Sequence, residues 1–201
     1  MSIAERLRTV PTLIGTPPDL DLDDLPSDPH DLALAWLEAA IDGDVPEPIA
    51  VTLATVDADG VPDARTLLLK DVDERGWAFA GTGSSRKADH LADSPAAALN
   101  LWWQPQARAI RIRGPVELAS PQECEADLAA RSPAARAAVT PGDWRLWRIQ
   151  PTRIELWQGS PDRRHIRIVY SRADASGPWT RSVTRGEGGH PTPPPGDDSQ
   201  A

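Results

Sequence analysis

Cysteine occurs only once in this sequence, as Cys124, so the chain cannot close an intramolecular disulfide and a thiolate metal site is not expected. No run of about 18 apolar residues is present, which predicts that no helix spans a membrane. Residues 1–15 lack the apolar core of a secretion signal. Together these absences predict a cytoplasmic protein without a metal centre.

Several sequence signatures of common binding sites are also missing. The chain contains no GxGxxG, no GxxxxGK[ST], no HExxH and no CxxC motif. Their absence removes the support for a Rossmann dinucleotide site, for a nucleotide P-loop and for a zinc site.

Positive charge is in the minority, with 21 Lys and Arg against 30 Asp and Glu and a net charge of −9. Non-specific nucleic-acid binding needs a basic surface that displaces counterions, and anionic membranes attract basic segments. We therefore expect neither nucleic acid nor a membrane as a partner. A local basic cluster on such a chain suits a small anion better than a polymer.

Phenylalanine and tyrosine occur once each, whereas tryptophan occurs eight times. Large flat apolar groups are common in the buried centre of protein interfaces, so these tryptophans are compatible with a homodimer. The alternative is that all of them serve the core of a single protomer. Composition alone leaves both possibilities open.

The length of 201 residues fits one folded domain with termini of different composition. Residues 1–27 are rich in Pro and Asp and are expected to form an extended arm. Residues 28–185 are expected to form the folded domain. Residues 186–201 have the composition of a disordered tail.

Short β-rich segments separated by turn sequences fill most of the folded part. Helices are predicted to start at Asp28 and Pro29, at Ser84 or Ser85, and over 120–138. The pattern is antiparallel rather than βαβ, and it predicts a mainly β (α+β) fold whose sheet closes into a barrel. The predicted strands are 49–56, 63–72, 77–81, 96–103, 107–118, 153–159 and 165–172, with 179–183 as an edge strand.

Two basic clusters lie in the first half of the domain. Arg65 and Lys70 are the two ends of the segment RTLLLK within a predicted strand, and Arg86 and Lys87 follow two serines at a predicted helix start. Helix amides, hydroxyl groups and cations together suit a phosphate. Taken alone, each cluster also fits an ordinary solvated surface.

A third basic cluster comprises Arg163, His165 and Arg167 in the segment WQGSPDRRHIR. If this segment is a strand, alternation puts the three side chains on one face. Like charges at that spacing repel one another unless an anion lies against them. The cluster therefore predicts an anion, either a ligand or neighbouring Asp and Glu side chains.

In this order, the segments RTLLLK, SSRK and WQGSPDRRHIR resemble the pyridoxamine 5'-phosphate oxidase family, over about residues 28–172. The resemblance implies an antiparallel split-barrel homodimer with FMN at the subunit interface, its phosphate held by Arg86 and Lys87. The implied cofactor-binding residues are Arg65, Thr66, Leu67, Leu68, Leu69, Lys70, Ala80, Gly81, Arg86, Lys87, Trp157 and Arg167. The implied substrate-binding residues are Lys70, Arg131, Arg163 and His165, of which Arg163 and His165 are the catalytic candidates.

The chemistry of these residue types agrees with a flavin enzyme. Fixed cations stabilise the negative charge that a flavin gains when it accepts a hydride. His165 is then expected either to orient the substrate or to take a proton from it.

Several positions depart from the family pattern. Ala109 stands where the family has a flavin-contacting Gln, and Asp127 and Ala135 stand where it has a Tyr and a Ser that grip the substrate phosphate. The segment 139–153 is shorter than in the family, and the usual Arg-Leu-x-Pro ending is absent. These departures favour an FMN-dependent oxidase acting on a small molecule other than pyridoxamine phosphate, with secondary metabolism as one context.

Two other functions stay open at this point. One is a genuine pyridoxamine/pyridoxine 5'-phosphate oxidase, and the other is a non-catalytic flavin-binding protein. The retained arginine and histidine cluster favours an enzyme, since a carrier needs no substrate-facing histidine. The substrate, the electron acceptor and the choice between FMN and a deazaflavin are not fixed by the residues.

Overall fold

The computed structural model describes residues 1–186, which form nine strands and five α-helices. The strands are β1 (Ala50–Val56), β2 (Pro62–Asp73), β3 (Gly76–Thr82), β4 (Ala96–Trp103), β5 (Arg108–Leu118), β6 (Trp144–Ile149), β7 (Arg153–Gln158), β8 (Ile166–Ser171) and β9 (Thr180–Arg185). The helices are α1 (Ile3–Thr9), α2 (Pro29–Asp42), α3 (Arg86–Asp93), α4 (Pro121–Ala129) and α5 (Pro133–Ala137). None of these helices has the length and apolar character needed to cross a bilayer.

Six strands close into an antiparallel barrel in the order β4-β1-β2-β3-β6-β5, with β4 pairing back to β5. Strands β7, β8 and β9 extend the sheet from β5. The predicted barrel is therefore confirmed.

Strand β5 changes partners along its length. Residues 108–113 pair with β7, and residues 116–118 pair with β6. Gly114 lies at the change, where an added Cβ would come within 2.0 Å of the Gln150 carbonyl oxygen. A glycine is therefore required for the two sheets to separate at this point.

Alternating side chains of the strands fill the barrel, and α2 packs on this core through Ala33, Trp36 and Ala40. Helix α2 starts as predicted, because the Asp28 carboxylate accepts the His30 backbone N–H and Pro29 takes the first helical position. Five of the eight tryptophans are buried in the protomer, namely Trp36, Trp77, Trp103, Trp144 and Trp147. Most tryptophans therefore serve the core of the protomer, and Trp102, at 45 % exposure, is the main exception.

Two sequence predictions about elements are wrong. No strand is predicted between 118 and 153, but the segment 139–153 contains β6, which lies between β3 and β5 in the barrel. The single helix predicted over 120–138 is two helices, because Ser132 caps a new helix whose first residue is Pro133.

The N-terminal segment begins with α1, which composition did not predict, and continues over residues 10–27 without a helix or strand. This second part runs along the domain, where the Tyr170 hydroxyl donates to the Pro26 carbonyl and the Arg108 guanidinium donates to the Pro18 carbonyl. Nearly all of the segment 186–201, expected to be a disordered tail, lies outside the described residues.

Candidate functional site

The first group of predicted site residues, the β2–α3 cluster, comprises Arg65, Arg86 and Lys87 with Asp63. Nη2 of Arg65 lies 2.9 Å from an Asp63 carboxylate oxygen, and Nη2 of Arg86 lies 3.2 Å from the same oxygen. Although burial raises the pKa of Asp63, the charges of Arg65 and Arg86 lower it overall. One carboxylate thus sits between two guanidinium groups, which is a position that suits an anion.

Lys87 carries an ammonium group that is about half-buried. Its Nζ donates to the Ser85 hydroxyl at 3.0 Å and lies against Gly81, where an added Cβ would be 2.2 Å from Nζ. Burial, and then the charge of Arg65, lower the pKa of Lys87. Within residues 1–186 no carboxylate pairs with this ammonium group. A desolvated cation without a counter-ion favours binding of an anion.

The start of α3 differs from the predicted cap. Ser85 is the N-cap residue, but its hydroxyl donates to the Thr82 carbonyl and makes no capping bond. Ser84 instead bonds to the Asp143 carboxylate through its backbone N–H and its hydroxyl. The first amides of α3 therefore keep their hydrogen-bonding capacity beside the Lys87 ammonium, as a phosphate site requires.

A second group, the β2–α4 cluster, comprises Lys70, Asp127, Arg131 and Trp144. The Trp144 indole N–H donates to the Asp127 carboxylate at 2.7 Å, and Lys70 Nζ lies 3.9 Å from the other carboxylate oxygen. The Arg131 guanidinium stacks 4.2 Å above the Trp144 ring. Two predicted substrate-binding residues, Lys70 and Arg131, are thus brought together, but around a carboxylate.

The third group, the β7–β8 cluster, comprises Arg163, His165, Arg167 and Glu155. Its geometry corrects the predicted strand face. Arg163 and His165 lie in the turn before β8, so only Arg167 lies on the strand. Arg163 is exposed and has a positive φ of 64°. The turn forms because the Asp162 carboxylate accepts the Arg164 backbone N–H. The three basic residues therefore do not share one face.

His165 is held by the same turn. The Ser160 backbone N–H donates to His165 Nδ1 at 3.0 Å, and the imidazole lies 5.1 Å from the Trp157 ring. Because Nδ1 accepts this hydrogen bond, the neutral ring carries its proton on Nε2. His165 therefore presents a donor, not an acceptor, at its free nitrogen.

The anion that the basic segment predicted is in part the side chain of Glu155, which the sequence did not single out. Glu155 accepts hydrogen bonds from Arg111, Arg153 and Arg167, while its own side chain is only 5 % exposed. Burial raises its pKa, but the hydrogen bonds from Arg111 and Arg153 lower it overall. Alternation along β7 was an available signal, since Arg153, Glu155 and Trp157 share its outer face.

A shallow depression of about 260 Å³ lies on this outer face. Ala109 is paired across strands with both Trp102 and Trp157, whose ring centroids are 6.0 Å apart. The small Ala109 side chain lies at the floor of the depression, beside Trp157. The lining residues are Asn100, Ala109, Arg111, Glu155, Trp157 and Arg167.

The remaining predicted cofactor residues divide by their face on the strand. Thr66 and Leu68 are exposed, whereas Leu67 is partly buried and Leu69 and Ala80 are buried. The side chains of Leu69 and Ala80 pack into hydrophobic clusters, so only the backbone of these residues is available to a ligand.

The β2–α3 and β7–β8 clusters do not meet within the protomer. In the sheet order, β2 and β7 are separated by β3, β6 and β5. Within residues 1–186 no hydrogen bond or ion pair joins the two clusters. A single protomer therefore presents two separate halves of the predicted cofactor site.

Comparison with known families and proteins gives consistent matches. The family described as pyridoxamine 5'-phosphate oxidase matches residues 37–158, and the pyridoxine 5'-phosphate oxidase C-terminal dimerisation region matches residues 144–183. A pyridoxine/pyridoxamine 5'-phosphate oxidase of Nostoc punctiforme is 39 % identical over 176 residues, covering 72 % of this chain and 82 % of the relative. The enzyme of the same name from Salinibacter ruber is 35 % identical over 195 residues, covering 81 % and 91 %.

A solved structure extends the similarity. PhzG from Burkholderia lata 383, in complex with tetrahydrophenazine-1-carboxylic acid, superposes with a TM-score of 0.77 at 26 % identity. The superposition covers 86 % of this chain and all of PhzG. The matches to the family, to its named oxidases and to this structure agree with one another, and the chain belongs to the pyridoxamine 5'-phosphate oxidase family.

Proposed function

We propose that the protein is an FMN-dependent oxidoreductase that takes two electrons from a reduced, non-phosphorylated nitrogen heterocycle. The observation that carries the substrate class is the Asp127 carboxylate, which lies among Lys70, Arg131 and Trp144. The family resemblance assigns this position to a substrate-phosphate contact. A carboxylate there opposes the Lys70 charge and repels a phosphate dianion.

The β2–α3 cluster fits the phosphate of FMN. Three features would hold it: the Lys87 ammonium, which has no carboxylate partner within residues 1–186, the uncapped start of α3, and the Arg65 guanidinium. FMN, when bound, supplies the electron chemistry by accepting a hydride from the substrate. The protein supplies the position of the substrate and the cations that stabilise the resulting negative charge.

A homodimer completes the proposed site. The β2–α3 cluster of one protomer and the β7–β8 cluster of its partner would then face the same cofactor. This arrangement is supported by the separation of the two clusters within one chain and by the match to the family's dimerisation region over 144–183.

His165 is proposed to orient the substrate rather than to act as the base. Its Nδ1 accepts the Ser160 backbone N–H, so the neutral imidazole offers Nε2–H as a donor. A carboxylate or a ring nitrogen of the substrate is a suitable acceptor for this donor. The bound ligand named in the PhzG structure is a reduced heterocycle with a carboxylate, which supports the same substrate class.

The second candidate is a pyridoxine/pyridoxamine 5'-phosphate oxidase. The names of relatives at 39 % and 35 % identity favour it. In that case Lys70, Arg131 and Arg163 would have to hold the phosphate despite Asp127.

The two candidates differ in a direct assay. FMN-loaded protein is supplied with oxygen and with either pyridoxamine 5'-phosphate or tetrahydrophenazine-1-carboxylic acid, and product absorbance is followed. We expect kcat/KM for the phosphorylated amine to be at least roughly a hundredfold below that for the heterocycle, since two phosphate contacts are lost. Comparable turnover of pyridoxamine 5'-phosphate would favour the second candidate, and FMN binding without turnover of either compound would favour a flavin-binding protein.

Substitution of Asp127 sharpens this assay. Asp127→Asn removes the repelling charge without adding a phosphate donor, and Asp127→Tyr restores the residue type that the family pattern has there. Both variants should increase kcat/KM for pyridoxamine 5'-phosphate, and the tyrosine variant should do so by more. No gain in either variant would remove Asp127 as the reason for discrimination.

A further inference from the structure

The buried carboxylate of Glu155 contacts three arginines, of which Arg167 belongs to the β7–β8 cluster. Glu155 Oε1 accepts from Arg167 Nε at 3.0 Å and from Arg111 Nη2, while Oε2 accepts from Arg153 Nη2 at 3.0 Å. Three guanidinium groups therefore surround one carboxylate, and the cluster retains an excess of positive charge. That excess faces the shallow depression that Arg111, Trp157 and Arg167 line.

The strand register explains how the cluster assembles. Glu155 lies directly across from Arg111 on β5, and Arg153 precedes it by two residues on the same face of β7. Arg167 reaches it diagonally from β8, where it is paired with Trp157. The contacts join residues from three strands, so the carboxylate sits at the centre of the sheet face rather than at its edge.

The hydrogen bond to Glu155 gives the Arg167 guanidinium a defined orientation. Its Nε is bonded to Glu155, which fixes the plane of the guanidinium. Among residues 1–186 its two terminal nitrogens have no hydrogen-bond partner and can donate to a ligand. The side chains of Arg167 and Arg111 are 50 % and 60 % exposed. Without Glu155 these side chains would repel each other and would have to lose rotamer freedom when a ligand binds.

We propose that Glu155 is a positioning residue that holds Arg167 ready for the anionic edge of the flavin. The inference rests on the proposed function, because FMN is the ligand that Arg167 is proposed to contact. Glu155 acts through Arg167 and touches no ligand itself. It preorganises the cation before the cofactor arrives, and so lowers the entropic cost of binding.

The test is FMN affinity, measured by quenching of flavin fluorescence on titration of the apoprotein. Glu155→Gln keeps the size of the side chain and removes its charge, and it should weaken FMN binding roughly tenfold or more, the scale of one charge-assisted hydrogen bond. Glu155→Asp keeps the charge and should recover part of the affinity. Glu117→Gln, on the exposed face of β5, is the matched control and should bind FMN like the wild type.

A double-mutant cycle separates positioning from a general structural role. If Glu155 acts through Arg167, the double variant Glu155→Gln/Arg167→Gln should bind FMN no more weakly than Arg167→Gln alone. Arg153→Gln removes a partner of the other carboxylate oxygen and should leave FMN affinity nearly unchanged. Additive losses in the double variant, or equal losses for Arg153→Gln and Arg167→Gln, would overturn the proposal.

The same titration tests FMN as the cofactor separately from the positioning role of Glu155. Wild-type protein that binds no FMN would overturn both the proposed cofactor and the role of Glu155. Wild-type binding that is unchanged in Glu155→Gln would overturn only the positioning role. Urea unfolding of each apoprotein identifies a variant that has lost its fold, and in that case Glu155→Asp and the Arg167 and Arg153 single variants carry the comparison.

Discussion

At the scale of single residues, the burial of Lys87 agrees with its proposed role in holding the FMN phosphate. Its ammonium group is half-buried beside Gly81 and has the Ser85 hydroxyl as its hydrogen-bond partner. Burial and the Arg65 charge hold its pKa below the ordinary value of 10.5. A bound phosphate would supply the missing negative charge and raise this pKa again.

The difference between the pKa of Lys87 in the free protein and its pKa with phosphate bound predicts that FMN affinity depends on pH. A group whose pKa rises on binding contributes fully to the binding free energy at pH values below its pKa in the free protein. That contribution is lost as the pH rises through the pKa of the group in the complex. FMN affinity should therefore fall as the pH is raised from neutral towards and past the lowered pKa of Lys87. Fluorescence titrations across this range measure the effect.

Lys87→Arg is the matched control for that prediction. Arginine keeps its charge throughout the range, so the variant should show a weaker decline than the wild type. An identical decline in both proteins would assign the pH dependence to the flavin or to another group. Lys87→Met should lose about tenfold in affinity at neutral pH and should also lose the Lys87 part of the decline.

At the scale of elements, local patterns predicted a closed barrel and five of its six strands, but they missed β6. Turn sequences separate β1 to β5 clearly, and these strands lie close to their predicted bounds. The strand β6 was missed because its neighbours β3 and β5 are distant in sequence, and because Arg145 and Arg148 obscure an apolar pattern. Arg148 is buried only because it pairs with Asp71 and Asp73 on β2.

In the candidate site, too, residues in short sequence motifs could be predicted, whereas a residue defined by contacts between distant strands could not. The basic segments predicted Arg65, Lys87 and Arg167 as candidate site residues, since each lies in a short recognisable motif. Glu155 could not be identified in the same way, because its partners come from β5, β7 and β8. The turn that displaces Arg163 from the strand did have a local signal, the Ser160–Asp162 sequence with its proline.

Arg108 is the residue through which several elements are joined. It is 3 % exposed, stacks 4.2 Å from the Trp36 ring of α2, and donates to Gln158 of β7 and to the Pro18 carbonyl. Burial lowers its pKa to about 10, so it remains charged at neutral pH. The guanidinium thus ties the N-terminal segment and α2 to the barrel.

Arg108→Lys should therefore destabilise the protein by about 2 kcal/mol, because an ammonium group cannot make the same set of planar contacts. Urea unfolding measures the loss, and faster proteolysis within residues 10–27 should accompany it. Arg113→Lys, exposed on the same strand, should change stability by less than about 0.5 kcal/mol. Equal effects of the two substitutions would contradict the joining role of Arg108.

At the scale of the whole molecule, the proposed function requires a homodimer, because the two clusters are separate within one protomer. Trp102, Arg111 and Arg167 lie on an outer sheet face that remains substantially exposed in the protomer. A symmetric dimer would bring this face of one protomer to the β2–α3 cluster of the other, twice. Each of the two sites would then contain residues of both chains.

Subunit complementation tests this shared site. Arg65→Ala damages the β2–α3 cluster, and Arg167→Ala damages the β7–β8 cluster, so each variant alone should bind FMN weakly. In a heterodimer of the two variants, one site carries both lesions and the other carries neither. Co-expression with two different affinity tags allows this heterodimer to be isolated, and it should bind about one FMN with wild-type affinity. If each site were instead contained within one protomer, every site in the heterodimer would be damaged and no tight binding would return.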